Sequence, residues 1–201
     1  QRILVLLDYI SPETGIIVYS PYDLLILHHP PFIQPVIPTY IIHSAWDIKP
    51  GGACDALADA LHIIPTEVLD ESSGIGRIGR LSEKNITQGR LIHEIMATLR
   101  IQDIRTVNCN RFQIVDRVCV VSGFGLTPVY IQEAIRKGVD VFISGDLTHQ
   151  GAIIAKNARI TLIDATHYAT EFPGLCRLGE MIASFGPDVH VKNINLPWVK
   201  V

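Results

Sequence analysis

The stretch Tyr22-Asp23-Leu24-Leu25-Ile26-Leu27-His28-His29-Pro30 is the part of the sequence that best predicts the fold. A continuous apolar run that stops at a proline is typical of a strand buried on both faces of a parallel sheet. Ligands of open parallel sheets bind just beyond the carboxyl ends of the strands. His28 and His29 occupy that position, which suits metal binding; the alternative is one buried and one exposed structural histidine at the start of a loop.

The strand patterns of the first part of the chain return later in the same order. Three apolar runs, at 2–8, 23–28 and 40–43, resemble those at 117–123, 140–145 and 160–164, with an offset of about 115 to 120 residues. Helical patterns in the connectors predict parallel pairing. We therefore expect an α/β fold of two interlinked pseudo-repeated halves, with mainly parallel sheets flanked by helices. The chain is predicted to be a single intertwined unit over 1–201, with halves at about 1–60 and 115–201 and a helix and strand connection at 61–114.

Further elements are predicted between and beyond these runs. Apolar periodicity and capping residues favour helices at 53–61, from Asn85 or Thr87 to Leu99, at 128–137 and at 175–185, and a helix start at Ser11-Pro12-Glu13. Alternating or β-branched runs favour strands at 74–81, 104–107, 112–115 and 189–196.

Composition excludes several classes of protein. The 201 residues carry a net charge of −3 without a basic cluster, which argues against direct nucleic acid binding. The longest apolar runs have the length of strands, so no membrane span is expected. The four cysteines are scattered without C-x-x-C spacing, and no leader pattern is visible, which together predict a cytoplasmic protein with free thiols.

Partners for the two histidines follow other predicted strands. His167 and Glu171 are four residues apart beyond the strand at 160–163, and His43 and Asp47 have the same spacing beyond the strand at 40–42. Three imidazoles and two carboxylates suit zinc, iron, manganese or nickel, and five ligands suit two divalent ions that share a bridging water. The predicted metal ligands are His28, His29, Asp47, His167 and Glu171. The alternative for His167 and Glu171 is an ordinary solvated helix pair.

Other polar residues near the strand ends are candidates for supporting roles. His43 and His149 occupy matching places in the two halves and are candidates for proton transfer or for orienting a ligand. The alternative for each is a hydrogen-bonded structural histidine. Asp8, Asp146 and Asp164 are candidates to accept a hydrogen bond from a ligating imidazole.

Several motifs together resemble a known family. They are His28-His29-Pro30, His43-Ser44-Ala45-Trp46-Asp47, Gly74-Ile75-Gly76-Arg77-Ile78-Gly79, Val121-Ser122-Gly123, Ile143-Ser144-Gly145-Asp146 and the stretch from Asp164 to Glu171. On these motifs the chain resembles the Nif-three-like family, often labelled GTP cyclohydrolase I type 2. The resemblance implies a dinuclear metal site on the five residues above, two interlinked α/β halves and a ring-shaped homohexamer. The chain departs from the family in its short 30–43 connection, where the family usually inserts a helix.

The metal ligands and the resemblance support different functions. The leading hypothesis is a dinuclear metal-dependent hydrolase that uses a metal-bridging hydroxide, and the resemblance implies ring opening of a purine nucleotide, as in a GTP cyclohydrolase. The alternative is a non-catalytic metal-binding scaffold or regulatory protein that interacts with transcription-related partners. A third hypothesis, a metal-handling protein, predicts rapid and reversible exchange of the ions.

Overall fold

The structure is a computed structural model that describes residues 1–10 and 21–193. Its strands are β1 (Arg2–Leu6), β2 (Leu24–Leu27), β3 (Thr39–Ile41), β4 (Ile63–Asp70), β5 (Ile75–Leu81), β6 (Arg105–Val107), β7 (Val118–Val120), β8 (Val141–Ser144), β9 (Thr161–Asp164) and β10 (Asp188–Val191). Its helices are α1 (His43–Ile48), α2 (Ala53–Ala60), α3 (Gln88–Leu99), α4 (Pro128–Arg136), α5 (His149–Ala158) and α6 (His167–Ala183).

The chain divides into two compact units. The first unit takes in Gln1–Trp46 and the chain from Leu175 onward, and the second unit takes in Asp47–Gly174. The expectation of one intertwined unit with halves at about 1–60 and 115–201 remains a prediction.

The first unit contains a parallel sheet in the order β10-β1-β2-β3. Leucines at alternate positions of its two central strands share one core with Tyr22; they are Leu4, Leu6, Leu25 and Leu27. The predicted strand at 24–27 is therefore confirmed, with its last three residues buried.

The second unit contains a six-stranded sheet in the order β4-β5-β7-β8-β9-β6. Its central strands β7, β8 and β9 are parallel, whereas β4, β5 and β6 pair antiparallel. Alternate residues of one strand enter different cores: Val118 and Val120 pack with α2 and α3, and Cys119 packs with α4 and α5. Helices therefore cover both faces of this sheet, because side chains alternate across a strand.

The predicted repeat is visible as a shared topology. Strands β1, β2 and β3 of the first unit are adjacent, parallel and in chain order, and so are β7, β8 and β9 of the second unit. The parallel α/β fold class is thereby confirmed. Because parallel strands end at one edge of a sheet, residues that follow the strands of one unit are brought together at that edge.

Most predicted elements occur within a few residues of their expected limits, with two corrections. The strand expected at 112–115 is wrong: Ile114 makes an isolated bridge to Thr87, Phe112 is exposed, and the segment belongs to neither sheet of the described residues. The helix expected from Leu175 begins earlier, at His167, and contains Pro173. A proline inside a helix removes one backbone hydrogen bond, a loss that this 17-residue helix tolerates.

Two expectations extend beyond the described residues. The helix start at Ser11-Pro12-Glu13 lies outside them, as does the end of the strand expected at 189–196, of which β10 is the described part.

Two broader properties concern the membrane and the thiols. None of the helices in the described ranges combines the length and the apolar character that crossing a bilayer requires. The cysteines Cys54, Cys109, Cys119 and Cys176 are free thiols, as expected.

Candidate metal centre

The first unit fixes His28 and His29 through the backbone of its sheet. The amide N–H of His28 donates to the carbonyl of Leu6 at 3.0 Å, and that of His29 donates to Leu7 at 2.9 Å. These bonds continue the β1–β2 ladder past the last strand residue. The two histidines follow the last residue of β2 and therefore lie at the carboxyl edge predicted from the sequence. The side chain of His28 is buried and that of His29 is half-buried.

His43 belongs to the same group of imidazoles. Its ring centroid lies 5.3 Å from that of His28 and 5.5 Å from that of His29, and the rings of His28 and His29 are 4.8 Å apart. One nitrogen of each ring lies within 4.8 Å of the others. The first unit by itself therefore offers three nitrogen donors to one ion.

A carboxylate holds one of these rings in place. The Nδ1–H of His29 donates to Asp8 Oδ1 at 2.8 Å, so that Nε2 is the nitrogen available for a metal. Ligating histidines usually donate their other ring N–H to such a partner, which fixes the tautomer and raises the basicity of the ligand nitrogen. The supporting role expected for Asp8 agrees with this contact.

The second unit places His167 and Glu171 on the first turns of α6. The Nε2 of His167 lies 3.0 Å from Glu171 Oε1, and its Nδ1 lies 2.6 Å from Asp146 Oδ2. Burial by itself lowers the pKa of His167, but the hydrogen bonds and charges of Glu171 and Asp146 outweigh it and raise the pKa to about 9. Without a metal ion this imidazole is protonated at neutral pH, and an incoming ion must displace a proton.

Asp47 is the second carboxylate ligand candidate of this unit. It is buried and lies one helical turn after His43 on α1. One of its oxygens lies within 4.8 Å of an oxygen of Glu171. Two buried carboxylates this close repel each other unless positive charge is shared between them, which is what a bound cation provides.

Gly123 closes the Val121-Ser122-Gly123 motif but was not among the predicted site residues. It has φ +76, and a Cβ added there lies 2.2 Å from Glu171 Oε1 and 3.2 Å from His167 Nε2. Its backbone N–H donates to Thr170 Oγ1 at 3.0 Å. The backbone of Gly123 thus lies directly against the ligand candidates of α6. The sequence signal was its place in that motif, at the end of the apolar run at 117–123.

Two residues expected near the site have other surroundings. His149 is exposed at the first position of α5, and the ligand groups found within residues 1–10 and 21–193 do not include it. Asp164 accepts from the backbone N–H groups of Thr166 and Leu147 and from the Arg105 guanidinium, which orders the loop before α6.

The donors present fit a divalent first-row metal. The first unit supplies imidazole nitrogens, and the second supplies two carboxylates and one imidazole, a mixture that suits zinc, iron, manganese and nickel. Clusters of histidine and acidic residues able to bind metal ions are therefore present in this chain.

Comparisons with known proteins agree with the fold and the motifs. The family model of Duf34/NIF3 (NGG1p interacting factor 3) matches residues 32–197. A GTP cyclohydrolase 1 type 2 homolog of Methanothermobacter thermautotrophicus is 44% identical over 199 residues, which cover 98% of this chain and 81% of that protein.

Two solved structures share the fold. Reduced HcgD from Methanocaldococcus jannaschii is 25% identical, with a TM-score of 0.76 over 94% of this chain and 82% of that chain. A Bacillus cereus protein related to NIF3 superposes with a TM-score of 0.84 over 100% of this chain and 89% of that chain at 17% identity, and so supports the fold alone. The protein therefore belongs to the Duf34/NIF3 family.

Proposed function

We propose that this protein is a metal-dependent hydrolase and that five residues bind its two divalent ions: His28, His29, Asp47, His167 and Glu171. The observation that carries the proposal is that each unit gathers metal-binding donors by itself. His28 and His29 are together in the first unit, and Asp47, His167 and Glu171 are grouped around Glu171 in the second. In both units these donors are close to the carboxyl ends of parallel strands, where α/β proteins bind ligands.

The chemistry of the donors supports hydrolysis. Divalent ions bound by imidazole and carboxylate lower the pKa of a coordinated water towards neutrality and so supply a nucleophile. Asp8 and Asp146 orient the rings of His29 and His167, and the buried carboxylates of Asp47 and Glu171 balance the positive charge. Of the two histidines proposed for exchanging a proton with the leaving group, His43 and His149, the position of His43 beside His28 and His29 supports the role, whereas His149 is exposed and outside the ligand groups of the described residues.

The proposed substrate is a small molecule of the nucleotide type. The support is the name of the 44% identical relative, a GTP cyclohydrolase 1 type 2 homolog. Ring opening of a purine nucleotide is a hydrolytic reaction, in agreement with the chemistry proposed for the ions.

Metal content and turnover test the proposal together. We expect two first-row ions per chain by elemental analysis, and turnover of GTP or a simple phosphodiester by the fully loaded protein. Glu171→Gln and His28→Ala are expected to lower both, whereas His93→Ala, on an exposed part of α3, is the matched control. A protein that binds no first-row ion, or variants that keep the full metal content and turnover of the wild type, contradict the proposal.

A non-catalytic scaffold is the second candidate function. Exposed apolar side chains near the edge strand β3 favour interaction with other proteins; they are Phe32, Ile33, Val36 and Tyr40. Two results together would identify such a scaffold or regulatory protein. The metal-loaded protein turns over none of the substrates, and its His28→Ala variant keeps its partner and its assembly.

The same exposed residues support self-association, and we propose a homohexamer in the cytoplasm. The four free cysteines suit a reducing compartment. Native mass spectrometry gives the subunit number, and polar substitutions at Phe32 and Val36 are expected to shift the distribution to smaller species. An unchanged distribution places the contacts elsewhere.

A further inference from the structure

We propose that Arg105 binds an anionic group of the substrate, of the phosphate type, at the carboxyl edge of the sheet in the second unit. This inference rests on the proposed function and adds a residue that determines specificity to it. Arg105 was not among the predicted site residues, because its sequence pattern indicated only the strand expected at 104–107.

Strand pairing places Arg105 at the edge of the sheet that carries the metal-ligand candidates of this unit. Strand β6 runs antiparallel to β9, and its first residue, Arg105, pairs with the last residue of β9, Asp164. His167 follows three residues after Asp164, and Asp146 follows the neighbouring parallel strand β8. The start of β6 therefore lies beside the carboxyl ends of β8 and β9.

A buried carboxylate links Arg105 to the loops of the site. The Asp164 side chain is 3% exposed, and its Oδ2 accepts from the Nε of Arg105 at 2.8 Å and also from Nη2. The same carboxylate accepts from the backbone N–H groups of Leu147 at 3.3 Å and of Thr166 at 3.0 Å. Leu147 directly follows the aspartate, and Thr166 directly precedes the histidine, of the carboxylate–imidazole pair of this unit. The guanidinium is therefore held in a fixed position relative to that pair.

Arg105 differs from an arginine with a structural role. The Arg77 side chain is 7% exposed and donates to both oxygens of Asp55 and to two backbone carbonyls. The Arg105 side chain is 67% exposed, and both of its bonds go to one oxygen of Asp164. A guanidinium carries five N–H groups. Within residues 1–10 and 21–193, the other three of Arg105 have no hydrogen-bond partner and are available to a ligand.

The available N–H groups suit a phosphate. Arginine binds phosphate through two parallel N–H···O bonds, and Arg105 keeps one N–H on each terminal nitrogen for such a pair. The nearby carboxylate of Asp146 is already paired with His167, which balances its charge. Divalent ions at the proposed centre add positive charge at the same edge, and cations together with arginine commonly bind phosphoryl groups. We therefore expect a phosphorylated ligand to bind more tightly than its uncharged counterpart.

Binding of GTP and of guanosine to the Zn²⁺-loaded full chain measures this preference by isothermal titration calorimetry. We expect the wild type to bind GTP more tightly than guanosine. Arg105→Ala removes charge-assisted hydrogen bonds and is expected to weaken GTP binding about 10- to 100-fold, while guanosine binding stays within about twofold. Comparison of the two ligands in one variant separates phosphate recognition from a general loss of stability.

Two further variants control for charge and for folding. Arg105→Lys keeps a positive charge beside the buried Asp164 but lacks the planar fork, so its loss of GTP affinity is expected to be smaller than that of Arg105→Ala. Arg111→Ala removes another exposed arginine of the same unit and is expected to bind both ligands like the wild type.

The wild-type protein gives a second readout, which does not depend on the folding of a variant. Phenylglyoxal modifies exposed arginines, and mass spectrometry of the Zn²⁺-loaded chain measures the modification rate at each position. Inorganic phosphate and GTP are expected to slow modification of Arg105 and to leave that of Arg111 unchanged. Unchanged rates at Arg105 with both ligands overturn the inference.

The outcomes separate this inference from the proposed function. If the wild type binds GTP no more tightly than guanosine, or if Arg105→Ala changes the affinities for both equally, the role of Arg105 is overturned, and continued turnover leaves the proposed function intact. If phosphate protects Arg105 but the protein neither binds nor turns over GTP, the anion site is supported and the proposed nucleotide substrate is wrong.

Discussion

Asp146 Oδ2 lies 2.6 Å from the Nδ1 of His167, 21 residues further along the chain. Asp8 and His29 form the same pair in the other unit, also 21 residues apart, at 2.8 Å. In each pair the aspartate follows one strand of a parallel pair and the histidine follows the next strand. Both units therefore carry a carboxylate–imidazole pair after two neighbouring parallel strands, although β1 and β2 are matched to β7 and β8 in the predicted repeat and the second pair follows β8 and β9.

Removing the charge of either aspartate is expected to weaken metal binding. In Asp8→Asn and Asp146→Asn the ring nitrogen loses an anionic acceptor, which reduces the basicity of the nitrogen that binds the ion. We expect each variant to lower the affinity for Zn²⁺ about 10- to 100-fold in competition with a chromophoric chelator. Asp116→Asn, on an exposed ion pair with Arg80, is the control. Equal affinities in all three variants contradict a supporting role for these aspartates.

The raised pKa of His167 makes the stability of the metal-free protein depend on pH. The folded pKa is about 9, against 6.5 for an ordinary histidine. Between these values the folded protein keeps a proton that the unfolded chain has lost. The stabilisation is complete below about pH 6.5 and is lost as the pH rises through about 9. At about 1.4 kcal/mol per pH unit this amounts to roughly 3 kcal/mol.

Chemical denaturation of chelator-treated protein between pH 6 and 10 measures this effect. The free energy of unfolding of the wild type is expected to fall over this range relative to that of His167→Gln, in which the titrating group is missing. Parallel curves for the two proteins contradict the pKa assigned to His167.

Local patterns were enough to predict the parallel cores of the fold. The run Leu24–Leu27 and its counterpart Val141–Ser144 are buried strands because their apolar side chains must be covered on both faces. The segment at 112–115 has a similar apolar character, but Phe112 and Ile114 are exposed, and Ile114 forms an isolated bridge to Thr87 in place of a strand ladder. An apolar segment becomes a strand only if another strand is available beside it for backbone hydrogen bonds. The local sequence pattern does not contain that information.

The sequence predicted those contacts of the site that depend on residues following strand ends or on spacing along one helix. His167 and Glu171 interact because residues four apart share one face of a helix. The closeness of Gly123 to Glu171 depends on how the loop after β7 packs against α6, about 48 residues later in the sequence. A contact of that kind follows from tertiary packing and leaves no periodic signal.

Arg77 is expected to be essential for stability, unlike its neighbour Arg80 on the same strand. Arg77 is 6% exposed, and its guanidinium forms two bonds to Asp55 at 2.7 and 2.8 Å and two more to the carbonyls of Gly74 and Gly76. Arg77→Ala leaves Asp55 without this partner and is expected to cost about 3–5 kcal/mol.

Two further variants test the geometry of this pair by urea denaturation. Arg77→Lys cannot form the paired contacts and is also expected to destabilise the protein. Arg80→Ala removes an exposed ion pair with Asp116 and is expected to cost less than about 1 kcal/mol. Similar losses for Arg77→Ala and Arg80→Ala indicate that the Arg77 pair is not structural.

Gly123→Ala is expected to damage the metal site more than the fold. The added methyl group meets Glu171 Oε1 at 2.2 Å, and the end of that side chain is the part that can move. The positive φ of +76 adds a backbone cost of about 1–2 kcal/mol. Gly138→Ala is the matched control, because Gly138 has φ +70 and no atom within 4 Å of an added Cβ. We therefore expect similar losses of unfolding free energy in the two variants, but reduced Zn²⁺ affinity only in Gly123→Ala. Wild-type affinity in Gly123→Ala, measured by chelator competition, means that the position of Glu171 Oε1 is not critical for the ion.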